Sequence, residues 1–116
     1  MDSIDLKLPW PPTANTYWRR NGNRYFISEK GLTFRDKVCF SCRAYKGNFK
    51  AEDKLAVTIL AYPPDKRKRD LDNLLKCTLD SLQHAQIFVD DNQICELTII
   101  RMDALSNGLS VNISIY

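Results

Sequence analysis

No stretch of this chain stays apolar for the roughly 18 residues a membrane helix needs, so a membrane span is not expected. The amino terminus, MDSIDLKLPWPP, has neither a basic n-region nor a long apolar core. A secretory signal is therefore not expected, and the cytosol is the default compartment. Repeats and low-complexity segments are absent. Histidine is almost absent: His84 is the only one. It falls at the expected carboxyl end of a helix, where a favourable contact with the helix dipole is a better account than general-base chemistry. Cysteine is sparse. Cys39 and Cys42 have a zinc-like spacing but lack the glycine or turn residues of a zinc knuckle, so reduced, mostly buried thiols are expected for them and for Cys77 and Cys95.

What remains is an ordinary globular composition with 44% hydrophobic and 27% charged residues, spread over 116 positions. That length suits one domain, 1–116, with a modest core, and a large groove would call for a second subunit. The net charge of +3 hides an asymmetry. Residues 1–50 hold ten Lys/Arg against four Asp/Glu, and residues 51–116 hold seven against ten, so the halves carry +6 and −3. A basic first half suits an acidic partner, while the concentrated acids of the second half set the chain apart from a simple polybasic binder.

SIDLKL alternates and predicts a short strand, closed by PWPP because proline lacks the ladder donor. A polar, aromatic and basic loop is expected from Thr13 to about Tyr25, then a helix over 28–46 ended by Gly47-Asn48. KLAVTILAY, 54–62, reads as a buried strand closed by Pro63-Pro64. A second helix is expected over 71–85, and QICELTIIRM and LSVNISIY as two strands with Asn107-Gly108 as a hairpin signal between them. The order β-α-β-α-β-β predicts an α+β domain, with a mixed sheet of about four strands and two main helices packed on it.

The informative stretch is KRKRDLDNLLK, residues 66–76. In the following helix Leu71, Leu74, Leu75, Thr78, Leu79 and Leu82 share one face, and Asp72, Lys76, Asp80 and Gln83 the other. Asp70 would point away from Asp72 inside a regular helix; placed at the N-cap it can turn towards it. Capping alone accounts for an aspartate here, but not for four consecutive cations, Lys66, Arg67, Lys68 and Arg69, directly ahead of it. FVDDNQI, 88–94, adds Asp90 and Asp91 in a turn, where either would serve as a third carboxylate. Hard oxygen donors beside cations suit Mg²⁺ (Mn²⁺ as an alternative) and phosphodiester hydrolysis, with Lys76 offsetting phosphate charge. Lys66 to Arg69 are expected on phosphates. Asn15, Tyr17, Arg19 and Arg20 in TANTYWRRNGNRYF, with Trp18 and Arg24, interleave aromatics and cations as a branched nucleic acid would require.

LPWPPTANTYWRR, PPDKRKRDLDNLLKCTLDSL and FVDDNQI, in this order and spacing, resemble the RusA-type Holliday-junction resolvases of phages, prophages and bacteria, over about residues 5–115. The resemblance implies a homodimeric, Mg²⁺-dependent endonuclease that cuts four-way DNA junctions with paired symmetric nicks and leaves ligatable ends, with no nucleotide cofactor. It places the acidic triad on Asp70, Asp72 and Asp91, favouring Asp91 over Asp90, and the essential lysine on Lys76. Asp80 also matches and is assigned a structural or surface role. A two-fold junction and paired nicks fit a two-fold dimer, for which strands 54–62, 94–102 and 109–116 are the candidate surfaces. The competing readings are a non-catalytic DNA-binding protein and a nuclease of another branched or single-stranded DNA.

Overall fold

The computed structural model describes residues 1–103 and 106–116. Its elements are β1 (Ser3–Pro9), α1 (Ala14–Tyr17), β2 (Trp18–Asn21), β3 (Arg24–Ile27), α2 (Glu29–Ser41), β4 (Leu55–Tyr62), α3 (Asp72–His84), β5 (Ile94–Arg101) and β6 (Gly108–Ile115), with short 3-10 turns at Arg43–Tyr45 and Asp91–Gln93. The class is α+β, as the pattern predicts. The main sheet runs β1-β6-β4-β5, mixed because β4 and β5 are parallel while β6 is antiparallel to both of its neighbours.

Strict alternation builds the sheet. In β4, Leu55, Val57, Ile59 and Ala61 are buried and the residues between them are half-buried; Ile4, Leu6 and Leu8 of β1 and Leu109, Val111 and Ile113 of β6 continue that inner face. Side chains of this size each gain about 1.5–3 kcal/mol from full burial, which makes this face the main source of stability. On α3 the buried positions are Leu74, Cys77, Thr78, Ser81 and Leu82, with Leu71, Leu75 and Leu79 half-buried at the margin of the core.

Three expectations are corrected. The loop expected over 13–25 contains the single turn α1 and the hairpin β2–β3, capped at Thr13, whose hydroxyl accepts from the Thr16 amide at 3.2 Å. The helix expected over 28–46 ends at Ser41; Ser28 is its cap and accepts from the Gly31 amide at 3.0 Å. Finally, β5 and β6 do not form a hairpin. Each pairs with β4, so their connection crosses over it, and Asn107 (φ 52°) turns the chain into β6. This correction leaves β5 at one edge of the sheet and β1 at the other.

β4-α3-β5 is the unit that positions the acidic residues. Since β4 and β5 are parallel, α3 must return between them in the opposite sense. Its amino end lies at the carboxyl ends of the strands, where Arg101 at the end of β5 donates to the Arg69 carbonyl. Its carboxyl end lies at their amino ends, where Gln83 accepts from the Asp91 amide at 2.9 Å.

Candidate nuclease site

The loop before α3 folds around Asp65. Its carboxylate accepts from the Arg67 amide (2.9 Å) and side chain (3.1 Å) and from Arg69 (2.7 Å), and these bonds hold it well below the usual carboxylate range. Two of the four cations expected on phosphate are thus tied to an acid of their own loop, and Arg69 also lies over the Trp10 ring, 5.6 Å from its centroid. Lys66 and Lys68 are exposed and take no part in the ion pairs of the described residues. Sequence reasoning missed Asp65 and Trp10. The signal was present in PPDKRKR, where an acid opens the basic run.

Asp70 is not the helix cap. Leu71 holds that position with helical backbone (φ −63°, ψ −37°) and no side chain caps the helix. The opening turn is closed instead by backbone: Asn73 donates to the Asp70 carbonyl at 3.3 Å and Leu74 to that of Leu71 at 3.1 Å. Carbonyls thereby serve amides a cap would otherwise serve. Both Asp70 and Asp72 are exposed and stand outside the ion pairs of the described residues.

Lys76 follows Asp72 by one turn. It opens into a pocket of about 590 Å³ whose other walls are Ala14, Asn15, Trp18, Arg19, Arg20 and Tyr25. The structure therefore brings Lys76 together with Asn15, Arg19 and Arg20. Arg20 lies over Tyr25, 5.6 Å from the ring centroid, and its Nε donates to the Gly22 carbonyl at 2.6 Å. Tyr25 is 68% exposed and is a better stacking surface than Tyr17. Tyr17, expected among the DNA contacts, is fully buried and belongs to the core. Its hydroxyl donates to Asp80 at 2.5 Å and accepts from Arg35 Nε at 2.8 Å, while Arg35 also donates to Asp80 at 2.6 Å. Burial, reinforced by the Asp80 bond, raises the Tyr17 hydroxyl above its ordinary value. Asp80 thus has the structural role assigned to it: it ties α3 to α1 and α2.

Asp90 and Asp91, equivalent by spacing, differ in environment. Asp90 caps the 3-10 turn: its carboxylate accepts from the Asn92 amide at 2.9 Å, and its own amide donates to Gln93 Oε1 at 2.9 Å. Gln93 is itself anchored to the Lys50 and Asp53 carbonyls at 2.7 and 2.9 Å. Asp91 contributes no side chain to this box. Partial burial raises its carboxyl above the ordinary value, and the hydrogen bond and charge of Asp90 and the charge of Asp80 add to the shift.

The expected convergence of three carboxylates is not found within one chain. Among the described residues no three His, Cys, Asp or Glu side chains are gathered closely enough to hold a metal. Asp70 and Asp72 sit at the amino end of α3, whereas Asp91 neighbours Gln83 and Asp80 towards the other. Eleven residues separate Asp72 from Gln83, about 16 Å of helix at 1.5 Å per residue. Carboxylates that share one Mg²⁺ must come within about 4 Å of each other, given metal–oxygen distances of 2.0–2.1 Å. A single chain offers Asp70 and Asp72 as hard donors and leaves the third apart. The thiols also differ from expectation. Cys42 and Cys77 are buried and pushed up to about 11 by desolvation, but Cys39 is half-buried and Cys95 is exposed on β5.

The profile of the family described as Endodeoxyribonuclease RusA matches residues 9–114. The chain is 44% identical over 101 residues to the crossover junction endodeoxyribonuclease rusA of Enterobacteria phage HK97, covering 87% of this chain and 84% of that one. It is 33% identical over 108 residues to the protein of the same name from Enterobacteria phage 82, and 33% identical over 108 residues to that of Shigella sonnei, with 93% of this chain and 90% of the relative covered in both.

Proposed function

This chain belongs to the RusA family of endodeoxyribonucleases, and from that premise we propose that residues 1–116 act as one structure-specific nuclease unit that resolves four-way DNA junctions by paired, symmetric nicks. The protein works as a homodimer, in the recombination or repair of phage or bacterial DNA, with Mg²⁺ (or Mn²⁺) held by Asp70 and Asp72 of one protomer and Asp91 of the other, since one chain keeps Asp91 at the far end of α3. The relatives' names specify a crossover junction as the substrate. The observation that carries the reading to this chain is the pairing of two exposed, uncapped carboxylates with a cationic pocket one helical turn away. Capping was the competing account of Asp70, and the helix is opened by Leu71 instead.

The chain's residues then divide the work. Lys66 and Lys68, free of Asp65, meet phosphates and set the register of a duplex arm; Arg67 and Arg69 stiffen the loop that presents them. Asn15, Arg19 and Arg20 track the strand entering the pocket, and Tyr25 offers a face to an unstacked base at the branch point. Lys76 lies between that strand and Asp72 and offsets charge on the scissile phosphate. A bound divalent cation supplies activation of water and stabilisation of the phosphorane-like charge. Asp91 is the better third donor because Asp90 is engaged in its capping box.

The test is cleavage of a labelled synthetic four-way junction in Mg²⁺ or EDTA, beside linear duplex and flap DNA, with Asp72→Asn as control. Symmetric, ligatable, metal-dependent nicks on the junction are expected, with Asp72→Asn still binding. Tight junction binding with no cutting in any divalent metal would leave a DNA-binding protein. Preferential cutting of the flap would assign a different branched substrate.

A further inference from the structure

The outer face of α3 carries Asp72, Lys76, Asp80 and Gln83. Asp72 offers a hard donor, Lys76 lines the cationic pocket, and Asp80 ties α3 to α1 and α2. Gln83 is the fourth. It is half-buried, and its Oε1 accepts from the Asp91 amide at 2.9 Å, eight residues further along the chain.

That bond completes a run. Val89 and Asp90 both donate to Gln93 Oε1 at 2.9 Å, Asp91 donates to Gln83, Asn92 donates to the Asp90 carboxylate at 2.9 Å, and Gln93 donates to the Asp90 carbonyl at 3.1 Å. The amides of residues 89–93 are all satisfied in this way. Gln93 is only 8% exposed, and its Nε2 donates to the Lys50 and Asp53 carbonyls, so its side-chain amide uses both hydrogens and both lone pairs. The Asp91 carboxylate takes no part in holding these amides, and it is exposed. The turn is a stiff mount with one acid left over.

The two glutamines fasten that mount to different places. Gln93 belongs to the turn and fixes it to the loop around Lys50 and Asp53. Gln83 belongs to α3 and is the only acceptor in the run that the helix supplies. Losing it leaves the other amide bonds of the turn in place and frees the Asp91 corner from the helix. Ligands of a metal centre are held by partners of their own, and loss of such a partner weakens metal binding by about 10–100-fold.

We propose that Gln83 is the positioning residue for Asp91, fixing through the Asp91 amide where that carboxylate meets the divalent cation. The proposal rests on the nuclease reading above, in which Asp91 is the third donor. Gln83 acts through the main chain of Asp91. At the other end of α3 no side chain caps the helix, so Asp70 and Asp72 have no counterpart of Gln83.

Substitutions at Gln83, with Mn²⁺ alone as the probe, test it. Gln83→Met keeps the length and removes the oxygen. Gln83→Asn keeps an amide one methylene too short. Gln83→Glu keeps the acceptor at full reach. The bond is exposed, so water replaces the lost acceptor and all three variants should fold, as circular dichroism would show. Gln83→Met and Gln83→Asn are expected to raise the Mn²⁺ dissociation constant, read by electron paramagnetic resonance, by about tenfold or more. The Mg²⁺ needed for half-maximal junction cutting should rise by the same factor, with a smaller change in rate at saturating Mg²⁺. Gln83→Glu should restore Mn²⁺ binding. Amide exchange in the metal-free protein gives a readout independent of cutting: Asp91 should be protected in the wild type and exchange faster in the two loss variants. A purely structural Gln83 would lower Tm and leave Mn²⁺ binding alone, so wild-type Mn²⁺ affinity in either folded loss variant overturns the positioning role. Gln83→Glu binding as weakly as Gln83→Met overturns it too, as does an unprotected Asp91 amide in the wild type. A wild-type protein that binds no Mn²⁺ and cuts no junction, with the Asp91 amide still protected, overturns the nuclease reading itself and leaves Gln83 a tie of the fold.

Discussion

Asp80→Ala is the most exacting test of how this small fold holds its binding surface. Asp80 takes hydrogen bonds from Tyr17 at 2.5 Å and Arg35 at 2.6 Å, joining α3 to α1 and α2. The side chains of Arg35 and Asp80 are 17% and 31% exposed, so the pair is neither a surface ion pair nor a dry one. A hydrogen bond to a charged group contributes about 1.5–3 kcal/mol, whereas an exposed ion pair contributes about 0–1 kcal/mol. Removing the carboxylate leaves a guanidinium and a buried hydroxyl without it, and the partial exposure of Asp80 tempers the loss. The expected cost is about 2–3 kcal/mol, which in a domain of this size corresponds to a fall in Tm of about 8–12 °C. Tyr17→Phe, which removes the hydroxyl alone, should cost about 1 kcal/mol. Because the groups form one network, the double variant should lose less than the sum, with a coupling of about 1 kcal/mol. Thermal and urea unfolding followed by circular dichroism would measure all three. A fall below about 2 °C for Asp80→Ala, or strict additivity with Tyr17→Phe, would refute the network and return Asp80 to a solvated face.

Three other expectations can be checked with simple variants. Lys76→Ala should reduce junction cleavage by more than tenfold with binding changed less than threefold, in line with about 1.4 kcal/mol per tenfold for a group acting on developing charge; the reverse order in gel-shift and cleavage assays would make it a phosphate anchor. Gly31→Ala should destabilise, because a methyl there would stand 2.9 Å from the Tyr17 carbonyl and 2.6 Å from an Ile27 methyl; unchanged unfolding would show that the α1–hairpin segment shifts freely. Thiol labelling should find Cys95 first and Cys42 and Cys77 last, since burial pushes the last two up to about 11. Raised thiol values stabilise the fold below the unfolded value near 9 and lose that contribution as pH rises towards 11, so mass spectrometry after alkylation should see both protected at pH 8 and increasingly labelled above pH 10.

The elements that were legible in the sequence are those whose pattern runs the length of a strand. KLAVTILAY is a nearly continuous apolar run rich in β-branched residues, LSVNISIY alternates, and both are buried on alternate residues in the fold. The stretch 13–25 was not legible because its structure comes from contacts far along the chain. α1 is a single turn, too short to nucleate alone, and is held by Tyr17 against Asp80 and Ser81, 63 and 64 residues away. The strand order was hidden for a similar reason. Asn107-Gly108 is a sound local signal for a turn, and Asn107 does adopt positive φ, but a local signal does not say which strand the chain pairs with next. Only the burial of β4 on both flanks, by β5 and β6, decides that.

The candidate site divides along the same line. The relation of Asp72 to Lys76 was legible because they lie one turn apart on α3, and helix periodicity reaches that far; Asp70 precedes the helix. The relation of Asp91 to them was not, because a βαβ unit reverses direction between the two motifs. The chain leaves α3 at the end opposite to Asp72 and reaches Asp91 before β5 carries it back. Any sequence in which one acid precedes such a helix and another precedes the following strand will hold them at opposite ends of the unit, whatever their chemistry. A triad split in this way is not completed within one chain, and the proposed homodimer has to supply the missing carboxylate from its second copy. A two-fold axis is the symmetry that the proposed paired nicks on a two-fold junction require.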